Sequence, residues 1–312
     1  MTLRIYFSAP AADWPEYGPH LTSAFAEAGI AAELSPELGD PAKVDYIVYA
    51  PNPDLTDFTP FTRCKAVLSL WAGVERIVTD PTLTQPLCRM VDPGMTESMV
   101  EYVTGHVLRH HLGMDTHILG KDGVWRHDSK PPLARERPVA MLGLGQLGQA
   151  CAASLRALRF PVLGWSRTAK DIAGVECHAG ESGLRAVLSR AQIAVLLMPL
   201  TEGTRDLMNA DRLALMPKGA VIVNPGRGPL IDDAALLAAL DSGQIGHATL
   251  DVFRTEPLPP DHRFWSHPRV TVTPHIAADT KAVTATRVIA ENIRRAEAAE
   301  PLLHLVDRQR GY

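Results

Sequence analysis

Three residues in the C-terminal third of the chain have the types and the order to run a proton-coupled reaction on an anion. They are Arg227 in Asn224-Pro-Gly-Arg-Gly228, Glu256 in Asp251-Val-Phe-Arg-Thr-Glu-Pro-Leu258 and His275 in Pro274-His-Ile-Ala277. Each follows a short apolar run that predicts a strand: Ala220–Val223, Ala248–Leu250 and Val270–Thr273. In an open α/β sheet, ligands bind at the carboxyl ends of the strands. A cation there holds an anionic group, an imidazole exchanges protons near neutral pH, and a carboxylate fixes the ring's tautomer. Taken singly, an arginine, glutamate or histidine is more often a surface or capping residue. Their joint placement at three strand ends carries the reading.

Upstream, Val139-Ala-Met-Leu-Gly143-Leu-Gly145-Gln-Leu-Gly148 is an apolar run entering GxGxxG, followed by the helix-like Gln149–Leu158. Gly143 permits a tight turn, Gly145 lets a pyrophosphate approach the backbone, and Gly148 allows close helix–strand packing. The loop Gly143, Leu144, Gly145, Gln146, Leu147, Gly148 would then offer helix-terminal N–H groups to the phosphates. A glycine turn without a ligand is the alternative; the strand before and the helix after count against it. The next strand, Pro161-Val-Leu-Gly-Trp165, should end in an acid for the ribose 2′-hydroxyl, but Ser166, Arg167 and Thr168 follow, with Lys170 nearby. A carboxylate there repels a 2′-phosphate, whereas Arg167 and Ser166 accept one. NADP(H) is therefore predicted over NAD(H), which remains possible if Arg167 is only a solvated loop residue.

These motifs need a scaffold, and 312 residues are enough for two domains. Leu3–Ser8, Tyr46–Ala50 and Ala66–Leu70 read as strands, with a helix around His20–Gly29, which makes a first parallel-sheet α/β domain. Glu97–Leu119 has helical spacing (Val100, Val103, Val107, Leu108), and the polar loop Lys121–Pro138 follows it. A second strand–helix series runs from Val139 through Val162–Trp165 and Ile193–Met198 to the three strands that carry the trio. The terminal helix, about Lys281–Glu300, is expected to return to the first domain. The predicted boundaries are 1–96 plus 281–312 for one domain and 97–280 for the dinucleotide-binding domain. A net charge of −4 without a basic stripe gives no reason to expect nucleic acid, and no apolar run is long enough for a membrane. Four cysteines without metal-like spacing read as thiols of a reducing, cytoplasmic compartment.

Several of these segments occur together in one known family. At Leu70-Trp-Ala-Gly-Val-Glu75, Asp92-Pro-Gly-Met-Thr-Glu-Ser-Met-Val-Glu-Tyr102, the glycine fingerprint, Trp165-Ser-Arg167 and the three motifs of the trio, the chain resembles the D-isomer-specific 2-hydroxyacid dehydrogenases. Within them it is most similar to the glyoxylate/hydroxypyruvate reductase A branch, over nearly its whole length. The resemblance implies two Rossmann-like/flavodoxin-like parallel-sheet α/β domains with an interdomain active-site cleft, and a homodimer. It implies hydride transfer to the C2 carbonyl of a small 2-oxo acid, glyoxylate or hydroxypyruvate, with His275 as the proton donor. Glu256 would orient the imidazole, and Arg227 would hold the carboxylate and carbonyl oxygen. The backbone at Ala72, Gly73 and Val74 would bind the same carboxylate. Asp251 would bond the nicotinamide carboxamide, and Pro199 would line the cofactor cleft.

The chain departs from the commoner family pattern at Trp71, where a small residue is usual, at Glu75 for aspartate, and at Leu200 for asparagine. Trp71 either narrows the pocket toward small substrates or points into the core. Met95 and Met99 either line the pocket entrance or fill the core. Phe264-Trp265 reads as a subunit anchor or as core. His106 and His110 have the i, i+4 spacing of a helical zinc pair, but lack the glutamate and a third ligand, so no metal is expected. Two functional rivals remain: a dehydrogenase of a larger 2-oxo acid or of phosphoglycerate, and a non-catalytic NAD(P)H-sensing binding protein. Formate oxidation is disfavoured, because that branch carries glutamine in place of Glu256.

Overall fold

The computed structural model describes residues 2–120, 122–127, 130–309 and 311. The chain divides into two compact units, Met1–Met95 with Asp279–Tyr312, and Thr96–Ala278. In the first unit the elements are β1 (Leu3–Ser8), α1 (Trp14–Glu27), β2 (Ala32–Ser35), β3 (Tyr46–Tyr49), β4 (Ala66–Ser69) and β5 (Leu87–Cys88). All five strands are parallel, in the order β2-β1-β3-β4-β5. Every residue of β3 and β4 is buried, as expected for central strands covered on both faces. Helix α1 starts earlier than the expected His20, because Pro15 falls in its first turn, where a missing N–H costs nothing. It ends at Gly29, whose φ of +70° lets Ile30 N–H reach the Phe25 carbonyl at 2.8 Å.

The expected continuous helix Glu97–Leu119 is two helices, α2 (Pro93–His111) and α3 (Met114–Leu119). Gly113 separates them at φ +63°, and the Arg137 guanidinium donates to the last carbonyls of α2, His110 and His111, at 3.2 and 3.3 Å. In the segment that follows, Lys121, Asp128 and Ser129 of the expected loop lie outside the described residues. The described part carries one short 3-10 turn at Ala134–Glu136.

The second unit continues with β6 (Val139–Leu142), α4 (Gln146–Ala157), β7 (Val162–Ser166), β8 (Glu176–Ala179) and α5 (Gly180–Leu188). After these come β9 (Ile193–Leu196), α6 (Ala210–Leu215), β10 (Ala220–Asn224), α7 (Asp233–Asp241), β11 (Ile245–Leu250) and β12 (Val270–Val272). The sheet is parallel throughout, in the order β12-β11-β10-β9-β6-β7-β8, and its direction of winding reverses between β6 and β9. One face packs α2 and α4 through Met99, Val103, Val107, Cys151 and Leu155; the other packs α5, α6 and α7 through Leu184, Leu213 and Leu236. Alternate residues of β6 serve the two faces, Val139 and Met141 against Ala140 and Leu142.

The chain then returns to the first unit as α8 (Ala282–Glu297), which lies on α1 and buries Ala285, Ile289 and Ile293 at helical spacing. Its buried Asn292 clamps Leu303, accepting from the N–H at 2.7 Å and donating to the carbonyl at 3.3 Å. The tail beyond pairs with the open edge of β5, Val306 N–H on the Leu87 carbonyl at 2.8 Å, and so covers an unpaired strand. Among the described residues no helix is long and apolar enough to cross a membrane.

Candidate active site

Strand order brings the candidate residues to one edge. Ser166 and Arg167 follow β7, the glycine loop follows β6, Pro199 lies just beyond β9, Arg227 follows β10, Glu256 follows β11 and His275 follows β12. All of these strands point the same way, so the residues share the carboxyl edge of a single sheet. At about 4.8 Å per strand, roughly 19 Å separates the glycine loop from His275 along that edge.

Each glycine of the fingerprint has its own reason. Gly143 has a φ of +112°, and a Cβ there would stand 2.5 Å from the Leu197 carbonyl oxygen. A Cβ on Gly148 would stand 1.9 Å from the Gly143 carbonyl oxygen, so the first turn of α4 can sit on the loop only without one. Gly145 is exposed and a Cβ there would meet nothing within 4 Å. That is open space over a helix N-terminus, where a pyrophosphate fits. Gln149 and Lys170 both donate to the Leu144 carbonyl, at 3.0 and 2.6 Å. Lys170 thus braces the loop. Ser166 Oγ donates to the Thr168 carbonyl at 2.7 Å, and Arg167 is exposed at the end of β7 with no carboxylate from Trp165 to Lys170. Pro199 presents its carbonyl to Thr204 Oγ1 at 2.7 Å, and Leu200 packs against the core of the second unit.

Arg227 sits on a stapled loop. Buried Asn224 accepts from Gly226 N–H at 3.1 Å and donates to the Arg227 carbonyl at 2.9 Å, while Arg227 Nη1 donates to the Gly226 carbonyl at 2.7 Å. Next to it, a Cβ on Gly228 would fall 2.0 Å from the Phe253 carbonyl carbon. The backbones of the Arg227 and Glu256 loops are therefore in contact. Arg254 adds to this by bonding Asp206 and the Ile231 carbonyl and by pairing with Asp233 at 3.5 Å.

Glu256 divides its two oxygens. Oε1 accepts from Phe253 N–H at 2.8 Å, which folds the loop, and Oε2 meets His275 Nδ1 at 2.8 Å. A carboxylate only accepts, so Nδ1 carries the hydrogen and Nε2 is left for a substrate. His275 itself has a φ of +56°, a conformation that costs a residue with a Cβ about 1–3 kcal/mol. Asp251 offsets that cost. It is fully buried; Oδ1 accepts from Thr273 Oγ1 at 2.6 Å and Ile276 N–H at 2.9 Å, and Oδ2 accepts from Ala277 N–H at 2.9 Å. Its carbonyl takes His275 N–H at 2.8 Å. The resemblance implies a bond from Asp251 to the cofactor; in the structure its carboxylate also holds the histidine loop.

In the first unit, Ser69 Oγ accepts from Trp71 N–H at 3.0 Å, and Thr280 Oγ1 donates to the Leu70 carbonyl at 2.7 Å. The N–H groups of Ala72, Gly73 and Val74 donate to no acceptor among the described residues, so they can receive a carboxylate. Trp71 is 47% exposed, which excludes the core alternative. The side chains of Met95 and of Val74, whose expected contact is through its backbone, are buried, and Met99 is core. Met95 N–H instead caps α2 on Asp92 Oδ1 at 3.2 Å. Phe264 is core, whereas Trp265 is exposed, with Nε1 on the Pro259 carbonyl at 3.0 Å.

Other reactive groups are occupied. His110 bonds Thr249 Oγ1 at 2.8 Å, and burial, with the charge of His247 next, pushes it down to about 3. His106 packs its ring 4.4 Å from Tyr102. Among the described residues no cluster of three or more His, Cys, Asp or Glu could hold a metal. Burial pushes Cys64, Cys88 and Cys151 up to about 12, far from a reactive thiolate. Sequence reasoning missed Asn224, Gly228, Lys170 and Thr273. Only Asn224 and Gly228 carried a local signal, a side-chain turn and a glycine on either side of Arg227.

The model of the D-isomer specific 2-hydroxyacid dehydrogenase NAD binding domain matches residues 104–277. Glyoxylate/hydroxypyruvate reductase A of Salmonella heidelberg (strain SL476) is 38% identical over 285 residues, 88% of this chain and 90% of that protein. A D-isomer specific 2-hydroxyacid dehydrogenase of Xanthobacter autotrophicus Py2, solved with NADPH and MES, matches with a TM-score of 0.92 at 40% identity over 100% of both chains. The NADPH-dependent glyoxylate/hydroxypyruvate reductase of Sinorhizobium meliloti, solved with NADP and sulfate, matches with a TM-score of 0.88 at 35% identity, over 99% of this chain and 100% of that one. With its parallel-sheet units, its glycine loop and its Arg, Glu and His on three neighbouring strands, the chain belongs to the D-isomer-specific 2-hydroxyacid dehydrogenase family.

Proposed function

We propose that the chain is an NADPH-preferring reductase that converts small 2-oxo acids, glyoxylate and hydroxypyruvate foremost, into 2-hydroxy acids. The observation that carries the reading is the Glu256–His275 bond of 2.8 Å, with the stapled Arg227 loop on the neighbouring strand. Relatives bearing that activity's name, and relatives crystallised with NADPH or NADP, support it.

When bound, the cofactor supplies the hydride that attacks C2 of the 2-oxo acid. The chain's own residues do the rest. Arg227 pairs with the substrate carboxylate and draws electron density toward the carbonyl oxygen. By the family resemblance, the N–H groups of Ala72–Val74 would bind the carboxylate as well. As the carbonyl carbon accepts two electrons, its oxygen becomes basic, and the proton on His275 Nε2 transfers to it to give the hydroxyl. Glu256 keeps Nδ1 protonated throughout and stabilises the imidazolium before transfer. Trp71, exposed beside this loop, limits the size of the C3 substituent. In this reading the second unit binds dinucleotide.

Arg167, Ser166 and Thr168 would receive the 2′-phosphate. For the assembly, we propose a homodimer formed through the described residues 112–120, 122–127 and 130–133, which expose Leu119 at 78% and Trp125 at 90% together with Ile118, Val124 and Leu133. Apolar groups crowded into one surface segment mark a contact surface. Unpaired cysteines support a cytoplasmic location, and recovery of the protein in a membrane or exported fraction would count against it.

His275→Asn keeps a group for Glu256 but no proton for the substrate. Its kcat on hydroxypyruvate should drop at least about 100-fold with NADPH affinity unchanged, and retained turnover would remove His275 from its role. Arg167→Ala should weaken NADPH by about 10- to 100-fold and NADH by less than about threefold, read as separate KM values. Equal losses would place Arg167 outside the 2′-phosphate site. In sedimentation velocity the protein should run as a dimer, and Trp125→Asp together with Leu119→Asp should shift it toward monomer. A wild-type monomer at micromolar concentration would contradict the assembly.

A further inference from the structure

The conformation of His275 depends on groups that belong to neither the substrate loop nor the cofactor loop: buried Asp251 and the half-buried Thr273 and Tyr102. Thr273 Oγ1 lies 2.6 Å from Asp251 Oδ1 on one side and 2.7 Å from Tyr102 Oη of α2 on the other. A threonine hydroxyl has one proton, and the Asp251 carboxylate can only accept. The proton on Thr273 therefore points to Asp251, and Tyr102 must donate to Thr273. Burial pushes the Tyr102 phenol well above its ordinary range, so it keeps that proton at any working pH. Tyr102 is in turn held by the His106 ring, 4.4 Å away between centroids.

We infer that Thr273 and Tyr102 are positioning residues for proton transfer, acting through Asp251 on the loop that carries His275. The inference rests on the proposed role of His275 as proton donor. Asp251 is fully buried and has three donors: one hydroxyl and the N–H groups of Ile276 and Ala277. Without the hydroxyl, one acceptor site of a dry carboxylate is left empty. The carboxylate then turns to recover a partner, and the two N–H groups that follow His275 move with it. A displacement of about 1 Å at a reacting group costs on the order of 100-fold in rate. Nδ1 of His275 needs only a smaller shift than that to lose its alignment with Glu256.

Two substitutions at one position separate the hydroxyl from the packing. Thr273→Val keeps the shape and loses the donor; Thr273→Ser keeps the donor and loses the methyl group. With NADPH and hydroxypyruvate, Thr273→Val should lower kcat at least about 30-fold with KM for the 2-oxo acid within about threefold. Thr273→Ser should recover kcat to within about threefold of the parent, and Tyr102→Phe should fall between the two. Thr273→Val with parental kcat, or Thr273→Ser as slow as Thr273→Val, overturns the inference. If Thr273→Val does not fold, Tyr102→Phe decides: unchanged kcat overturns the inference. Amide exchange over residues 275–278 reads the same claim without turnover, and should quicken in Thr273→Val but not in Thr273→Ser. An inactive parent enzyme would refute the reductase reading alone. The exchange result would still stand for or against the positioning.

Discussion

A carboxylate buried without water must be given donors by the protein, and Asp251 meets that demand with the chain on either side of His275. Its three donors come from Thr273, Ile276 and Ala277, so satisfying the charge also sets the turn. The left-handed backbone of His275 would be unfavourable alone. It persists because releasing it would strand a buried charge, a larger cost. Glu256 then folds its own loop with one oxygen and holds a ring that already faces it with the other. Strain at the reacting residue is balanced by a polar network beneath it.

Close backbone contact is the second constraint. Gly148 lets α4 sit on the glycine turn, and Gly228 lets the Arg227 loop lie against Phe253. The first contact closes one strand-end loop onto its own helix, and the second joins two neighbouring strand-end loops. A side chain at Gly148 would push α4 off its turn, and one at Gly228 would part the Arg227 loop from Phe253. The first unit uses gentler means: hydroxyls of Ser69 and Thr280 hold the backbone around Trp71.

What could be read in the sequence follows from these physical differences. Central strands such as β3, β4, β6 and β9 are buried on both faces, so their apolar runs are conspicuous. The edge strands β2 and β8 are half exposed and carry Glu33, Glu176 and His178, so no apolar run announces them. The two-residue β5 is too short to form a pattern. Val100 to Leu108 kept helical spacing up to the break, but only Gly113 and a distant Arg137 show where α2 stops. At the candidate site, Arg227, Glu256, His275 and the glycines stood out by their types and by their places after apolar runs, and the structure sets them along one sheet edge. The load on Asp251 was not, because its side-chain partners lie 22 to 26 residues away and meet it only once β11 and β12 are paired. The spacing of Met95 and Met99 suits a pocket rim and a core equally well, so the sequence left both readings open; both side chains are buried.

The central claim is that the turn held by Asp251 aims His275 Nε2 at the substrate oxygen while Arg227 holds the carboxylate. A crystal structure with NADPH and oxamate, an unreactive 2-oxo acid analogue, tests it most directly. The account predicts Nε2 about 3 Å from the analogue's carbonyl oxygen, Nδ1 still on Glu256, and the Arg227 guanidinium on the carboxylate. An analogue bound beyond reach of Arg227, or a His275 ring turned so that Nε2 faces away from it, would contradict the account.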